Sequence, residues 1–139
     1  MELLKILIFI CLSFMSLSVG AQSIIANPNV DVDSLSQSKA RSIFLMRTTE
    51  WNNGIPIIVV ALESSDPLHI DFCKNILGLF PYQLQQIWDR IIFTGTGQSP
   101  RYARSIDEIK KLVSLTPGAV GYIDREDIDE TVRLIYVED

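Results

Sequence analysis

The chain has 139 residues, with 12 lysines and arginines against 17 aspartates and glutamates, and its net charge is -5 at neutral pH. Nucleic acids and anionic lipids are bound through clustered cations, so this acidic balance argues against both as partners. A single histidine excludes a histidine-based metal cluster, and the length suits one domain with one core.

The first 21 residues have the pattern of an export signal. An almost unbroken apolar run extends from Ile6 to Val19, and it is too short to span a membrane comfortably. Small residues up to Ala21 then give the spacing that a signal peptidase requires. We expect residues 1–21 to be a signal peptide and residues 22–139 to form the mature domain, delivered to the periplasm. Retention of the leader as an anchor is the alternative.

The next segments predict a strand, a helix and a second strand. Ser23 to Ala26 is short and apolar and ends at an Asn-Pro-Asn turn, which is typical of an edge or first strand. Asp33 or Ser34 can cap a helix that runs to about Leu45. After an Asn-Asn-Gly turn, the β-branched run from Ile55 to Leu62 suits a strand covered on both faces, as in a parallel sheet flanked by helices.

The second helix has clear boundaries in the sequence. Asp66 is placed as its N-cap, Pro67 as its first residue and Gly78 as its C-terminal stop. Cys73 lies on the apolar stripe of this helix. With the leader removed it is the only cysteine, so no internal disulfide can form, and we interpret it as a buried apolar residue.

The C-terminal half predicts two further helices and two strands. A third helix begins at Pro81, and its apolar positions recur at helical spacing through Ile92, so we expect that face to be buried. A polar loop leads to a fourth helix, in which Ser105 and Glu108 have the spacing of a capping box. Strands follow at 119–123 and 132–137. This alternation of strands and helices argues for a three-layer α/β sandwich.

Short motifs along the mature chain occur in the order known from one protein family. They are Ile43–Leu45 with Trp51, Gly54 and Ile57; Pro67–Leu68 with Phe72; Ile76–Gly78; Trp88; Phe93–Gly97 with Pro100; and Thr116–Ile123. In these motifs the chain resembles the small phosphate ABC-transporter substrate-binding-protein-like family, a stand-alone PBP-like domain, over nearly all of its mature length. The resemblance implies a single three-layer α/β/α sandwich similar to one lobe of a class II periplasmic binding protein. Full-length relatives bind an oxyanion between two lobes.

The first candidate oxyanion site is the loop before the second helix. Ser64 and Ser65 offer hydroxyl donors at a helix N-terminus, where backbone N–H groups and the helix dipole favour an anion. The family resemblance adds His69, in the first turn, at a position where relatives often carry Arg. The competing interpretation is that Asp66, as N-cap, already satisfies these N–H groups and that Glu63 repels an anion.

The second candidate site is the glycine-rich loop after the third helix, which offers exposed backbone amides, hydroxyls and two cations. Its residues are Thr94, Gly95, Thr96, Gly97, Arg101 and Arg104. The spacing matches no phosphate-loop fingerprint, so a solvated surface loop is the competing interpretation.

The sequence contains no pattern for catalysis, a cofactor or a metal ion. The acidic run from Asp124 to Glu130 lacks the glycine of a calcium loop and is typical of a solvated surface. We therefore expect a non-enzymatic binding module of the cell envelope that recognises phosphate or a similar oxyanion. The alternative is a ligand-free interaction domain that docks onto an envelope membrane protein or sensor. A homodimer in which two copies complete a cleft also stays open.

Overall fold

The computed structural model describes residues 21–139, so the expected signal peptide lies outside the described residues except for Ala21. The strands are β1 (Gln22–Ala26), β2 (Ser34–Ser36), β3 (Ile58–Leu62), β4 (Arg101–Ala103), β5 (Ala119–Asp124) and β6 (Arg133–Glu138). The helices are α1 (Gln37–Phe44), α2 (Pro67–Phe72), α3 (Pro81–Thr94) and α4 (Ile106–Leu115), and a π-helical turn, Cys73–Leu77, extends α2. None of the helices in this range is long and apolar enough to cross a membrane.

The strands form one mixed sheet in the order β2-β6-β1-β5-β3-β4. β1 runs antiparallel to both of its neighbours, whereas the pairs β2/β6, β3/β5 and β3/β4 are parallel. Ile24, Ile25 and Ala26 are all fully buried, so β1 is covered on both faces. The prediction of β1 as the first strand is confirmed, but an edge position is wrong because β5 and β6 flank it.

Helices cover both faces of the sheet, which confirms the expected α/β/α sandwich. In β5, a Cβ added at Gly121 would lie 3.2 Å from Ile109 and from Val113 of α4. The next residue, Tyr122, points to the opposite face because side chains alternate along a strand. Its ring stacks on Phe72 of α2, with centroids 4.1 Å apart.

The local signals around α2 are confirmed. Asp66 Oδ1 accepts a hydrogen bond from the backbone N–H of Leu68 at 2.9 Å, and Pro67 is the first helical residue. Gly78 ends the π-helical turn in the left-handed conformation, with φ of 66°. The loop Glu63–Asp66 and the helix α2 that follows it position the residues of the first candidate site.

Two three-residue strands are not predicted from the sequence. Ser34–Ser36 pairs with β6, so Ser36 rather than Asp33 or Ser34 caps α1, accepting a hydrogen bond from the N–H of Lys39. Arg101–Ala103 pairs with β3, in a segment expected to be loop. Such short strands carry too few residues for a recognisable alternation, and their neighbours in the sheet stabilise them.

The apolar face of α3 is buried only in its first three turns. Leu84 and Trp88 are 1% exposed, whereas Ile92 is 41% exposed and Phe93 is 93% exposed. All of residues 92–99 are exposed and Ile91 is only partly buried, so the last turn of α3 is poorly covered by the described part of the chain. The expectation that the stripe stays buried through Ile92 is therefore wrong at this end.

Candidate functional site

The carboxyl ends of β3 and β4 form a small crevice. The two strands are parallel, with Leu62 opposite Ala103, so the loops that follow them meet at one edge of the sheet. The crevice has a volume of about 140 Å³, and its lining consists of Glu63, Ser65, Asp66, Ala103 and Arg104. In open α/β sheets, ligands bind in the crevice outside the carboxyl ends of the strands. This crevice is therefore the best-placed candidate site.

Two helix N-termini point toward this edge, but their caps occupy part of the backbone donors. Asp66 caps α2 as described above. At α4, Ser105 Oγ accepts from the N–H of Glu108 at 3.1 Å, and Glu108 Oε2 accepts from the N–H of Arg104 at 3.0 Å. The side chains of Ser65 and Arg104 are then the donors that line the crevice and remain suited to an anion.

The charge of the crevice limits which anions fit. The carboxylates of Glu63 and Asp66 face one guanidinium, that of Arg104. A fully ionised anion meets net repulsion here, because like charges at short range disfavour each other. An anion that carries a proton can instead donate a hydrogen bond to a carboxylate oxygen.

The second candidate loop lies at the opposite end of α3. Thr94 Oγ1 donates to the carbonyl of Arg90 at 2.8 Å and lies 3.0 Å from Thr96 Oγ1. Gly95 ends the helix with φ of 69°. The carboxyl end of a helix dipole is negative, so this position is unfavourable for an anion.

The structure does not bring the two candidate loops together. Ser64 Oγ lies 3.5 Å from Gln85 Oε1 in the second turn of α3. Thr94 follows Gln85 by nine residues, which is about 14 Å along a helix axis. Arg101 Nη1 donates to Thr116 Oγ1 at 3.2 Å, beyond the carboxyl end of α4 and away from Ser64.

Thr96 and Gly97 line a different cleft of about 260 Å³ near the start of β3, together with Thr48, Thr49 and Glu50. Arg104 behaves differently from the rest of its predicted group. The strand β4 lies between the glycine-rich loop and Arg104, so Arg104 is separated from that loop and lines the crevice at the carboxyl edge together with Ser65.

His69 lies in the core rather than at the crevice. Its side chain is 1% exposed. The hydroxyl of Tyr122 accepts a hydrogen bond from the N–H of Leu62 at 2.9 Å and contacts His69 Nδ1. His69 Nε2 lies 3.5 Å from Cys73 Sγ. The arrangement that satisfies every group has Tyr122 donating to Nδ1 and the imidazole proton on Nε2, directed at the sulfur.

Burial keeps this network neutral. It lowers the pKa of His69, against an opposing effect of the Asp66 charge. Burial also raises the pKa of the Cys73 thiol to about 12 and raises the pKa of Tyr122. Cys73 is therefore a buried thiol rather than a reactive thiolate. Tyr122 connects Leu62 and His69, which flank the Glu63–Asp66 loop, so the network fixes both ends of that loop.

Three carboxylates cluster on the turn after β5. Oxygen atoms of Asp124, Glu126 and Asp127 lie within 4.8 Å of one another. Burial and the charges of Asp127 and Glu126 raise the pKa of Asp124. Such clusters are common on solvated surfaces.

Solved structures with the same fold come from phosphate transport systems. A candidate phosphate ABC transporter substrate-binding protein from Clostridium perfringens, solved with bound phosphate, matches with a TM-score of 0.68 and 22% identity over 84% of this chain and 44% of its own. An ABC-type phosphate transport receptor from Vibrio cholerae matches with a TM-score of 0.66 and 22% identity, over 85% of this chain and 46% of its own. PstS from Borrelia burgdorferi matches with a TM-score of 0.68 and 17% identity, over 86% of this chain and 47% of its own.

This chain has the fold of a phosphate-type substrate-binding protein. It spans about half the length of these structures, as a single-lobe PBP-like domain would. No family model matches the sequence. The PBP-like fold predicted from the ordered motifs is thus confirmed, and the chemistry of the crevice has to be argued from its own residues.

Proposed function

We propose that this chain is an exported, non-enzymatic binding domain of the cell envelope that recognises phosphate or a similar protonated oxyanion. The observation that carries the proposal is the crevice at the carboxyl ends of β3 and β4, which both Ser65 and Arg104 line. The similar structures support it, since the Clostridium perfringens protein holds phosphate. The export pattern of residues 1–21 supports a periplasmic location within this proposal.

Each side chain of the crevice has a role in this proposal. Arg104 supplies a planar guanidinium that suits the oxygens of a tetrahedral anion, and Ser65 adds a hydroxyl donor. A carboxylate oxygen of Glu63 or Asp66 accepts a hydrogen bond from the O–H group that phosphate carries near neutral pH. Sulfate is fully ionised there and has no proton to donate, so it meets only repulsion from the carboxylates. We therefore expect phosphate to be preferred over sulfate.

Isothermal titration of the purified protein with phosphate and with sulfate tests the proposal. Because hydrogen bonds to charged groups contribute about 1.5–3 kcal/mol, Arg104→Gln should weaken phosphate binding by about 10-fold to 100-fold. Arg101→Gln is the matched control, because Arg101 binds Thr116 away from the crevice. Absence of heat with millimolar phosphate, or equal losses in both variants, would contradict the proposal.

The second candidate function is a ligand-free domain that docks onto an envelope membrane protein. Asp66 already caps α2, and the aromatic residues Phe80 and Tyr82 are 51% and 61% exposed beside the loop. A silent phosphate titration, combined with binding of the domain to envelope membranes that is lost in Tyr82→Ser, would favour this function over the first.

A further inference from the structure

The turn before β3 carries an asparagine followed by a glycine. Asn53 is the only asparagine of the sequence that directly precedes a glycine, and both Asn53 and Gly54 are exposed. A Cβ at Gly54 would meet nothing within 4 Å, so its α-carbon has open space on the side where other residues carry a side chain. Asparagine is among the chemically labile residues of proteins. The turn therefore exposes a labile side chain next to a backbone nitrogen that no side chain of its own residue crowds.

A hydrogen bond orients the side-chain carbonyl of Asn53. Its Oδ1 accepts from the N–H of Ile55 at 3.1 Å. This bond folds the side chain back along the main chain past Gly54, because the donor belongs to the residue after it. The same donor stabilises negative charge that develops on Oδ1 when a nucleophile attacks the carbonyl carbon. The side chain of Asn53 is thus prepared for attack by the backbone nitrogen of Gly54.

The turn also protects that nitrogen in part. The N–H of Gly54 donates to the carbonyl of Trp51 at 2.8 Å, and the N–H of Trp51 donates to the carbonyl of Ile55 at 2.9 Å. The attacking nitrogen has to lose its hydrogen bond and its proton before it reacts. Residues 52–54 are all exposed, and local opening of such a segment costs far less free energy than global unfolding. The reaction therefore proceeds from the folded protein through an opened turn.

We propose that Asn53 is a site of spontaneous covalent modification, at which the side-chain amide is lost and the main chain is partly converted to isoaspartate. The deprotonated nitrogen of Gly54 attacks the side-chain carbonyl carbon of Asn53 and forms a C–N bond. The bond from that carbon to Nδ2 breaks, and the amide nitrogen leaves as ammonia. Water then adds to one of the two carbonyls of the succinimide ring and breaks its bond to the Gly54 nitrogen. Opening at the side-chain carbonyl gives aspartate, and opening at the main-chain carbonyl gives isoaspartate.

The two products differ in their effect on the fold. Aspartate leaves the main chain unchanged, and its carboxylate can still accept from the N–H of Ile55. Isoaspartate inserts a methylene into the main chain before Gly54, so the two hydrogen bonds that Trp51 makes across the turn cannot both persist. Trp51 is 7% exposed, and its Nε1 donates to the carbonyl of Gly118 at 2.9 Å. Isoaspartate at position 53 should therefore loosen the contact between this turn and the segment before β5.

The experiment is incubation of the folded protein, expressed from the full sequence, for several weeks at body temperature in mildly alkaline and in mildly acidic buffer. Trypsin then releases residues 48–74 as one peptide and residues 75–90 as another. Mass spectrometry should show a growing fraction of the first peptide heavier by about one dalton, with the gain located at position 53. The fraction should grow faster in the alkaline buffer, because the attacking nitrogen has to lose a proton.

Asn75 is the internal control for the rate. It is also exposed, but it precedes Ile76, whose β-branched side chain crowds its backbone nitrogen. Its peptide should gain mass at least about 10-fold more slowly than the peptide of Asn53. Asn53→Gln is the matched variant, and it should abolish the gain in residues 48–74, because glutamine has to close a larger ring.

Urea unfolding separates the two products. Asn53→Asp should unfold at the urea concentration of the wild type, whereas aged protein rich in isoaspartate, detected with an isoaspartate methyltransferase, should unfold at a lower one. Absence of the mass gain at position 53, an equal gain at Asn75, a gain that persists in Asn53→Gln, or aged protein as stable as Asn53→Asp would overturn the proposal. None of these measurements uses phosphate, so they test this inference independently of the proposed function.

Discussion

Replacing Tyr122 by Phe tests the buried network that holds the Glu63–Asp66 loop. The substitution removes only the hydroxyl, and the remaining ring can keep its stacked contact with Phe72. Two partners lose their hydrogen bond at once. They are the N–H of Leu62, 2.9 Å from the hydroxyl, and His69 Nδ1.

The expected loss of stability follows from the burial of both partners. Leu62 is 2% exposed and His69 is 1% exposed, so water cannot easily replace the hydroxyl. Leaving a buried polar group unsatisfied costs about 1–3 kcal/mol, so two such groups give about 2–6 kcal/mol. A small domain has a total free energy of unfolding of about 5–15 kcal/mol. The substitution should therefore remove a large fraction of it without creating an apolar cavity.

Urea unfolding followed by the fluorescence of Trp51 and Trp88, both mostly buried, measures this loss. Tyr102→Phe is the matched control. Its hydroxyl is at the surface, 3.4 Å from Gln85 Nε2, so we expect a change within about 0.5 kcal/mol. If Tyr122→Phe costs less than about 1 kcal/mol with an unchanged m-value, the hydroxyl does not satisfy two buried groups and the argument fails.

Two further predictions concern pH and backbone conformation. Burial lowers the pKa of His69 below its ordinary value of 6.5, so below pH 6.5 the unfolded chain binds more protons than the folded one. The free energy of unfolding should therefore decrease as the pH drops from 6.5 toward the pKa of the folded protein. Urea unfolding at several pH values should show a smaller decrease in His69→Gln. An equal pH dependence in both proteins would contradict the burial argument. Gly54 and Gly118 have φ of 83° and 78°, but a Cβ at Gly118 would overlap the carbonyl oxygen of Pro56, whereas a Cβ at Gly54 meets nothing within 4 Å. Gly54→Ala should cost about 1–2 kcal/mol and Gly118→Ala about 2–5 kcal/mol once the clash is added; equal losses of stability in thermal unfolding would refute the steric argument.

The sequence predicts those elements whose ends are encoded locally. For α2, the capping Asp66, Pro67 at the first position and Gly78 at the end act within a few residues of one another, so the boundaries can be predicted without knowing the rest of the fold. The strands β2 and β4 have no such signal. Their three residues adopt strand geometry because β6 and β3 supply the hydrogen-bonding partners, and those partners are distant in sequence.

Because β4 is not predicted from the sequence, only half of the candidate site is predicted from it either. Without that strand, Arg104 belongs to the glycine-rich loop; with it, Arg104 stands at the carboxyl end of a strand, as Ser65 does. The sequence does carry a signal, since Arg104 comes directly before the cap of α4. The burial of His69 also has a sequence signal, because it precedes Phe72 and Cys73 by three and four residues and so shares their apolar helical face.

The fold restricts where a ligand can bind, and the charges restrict which ligand it can be. Proteins at 22% identity can share a sheet and helices while their binding residues differ, so the likeness to phosphate receptors shows the fold alone. The carboxyl edge of the sheet is a candidate because ligands of open α/β sheets bind there. At that edge, this chain places two carboxylates, Glu63 and Asp66, beside one Arg104. Such a site binds a protonated anion more favourably than a fully ionised one, because the O–H group of the protonated anion can donate a hydrogen bond to a carboxylate that would otherwise only repel the ligand. Substituting Glu63 by Gln should therefore narrow the difference between phosphate and sulfate binding, and a titration in which sulfate stays equally excluded would show that the carboxylate is not the discriminating group.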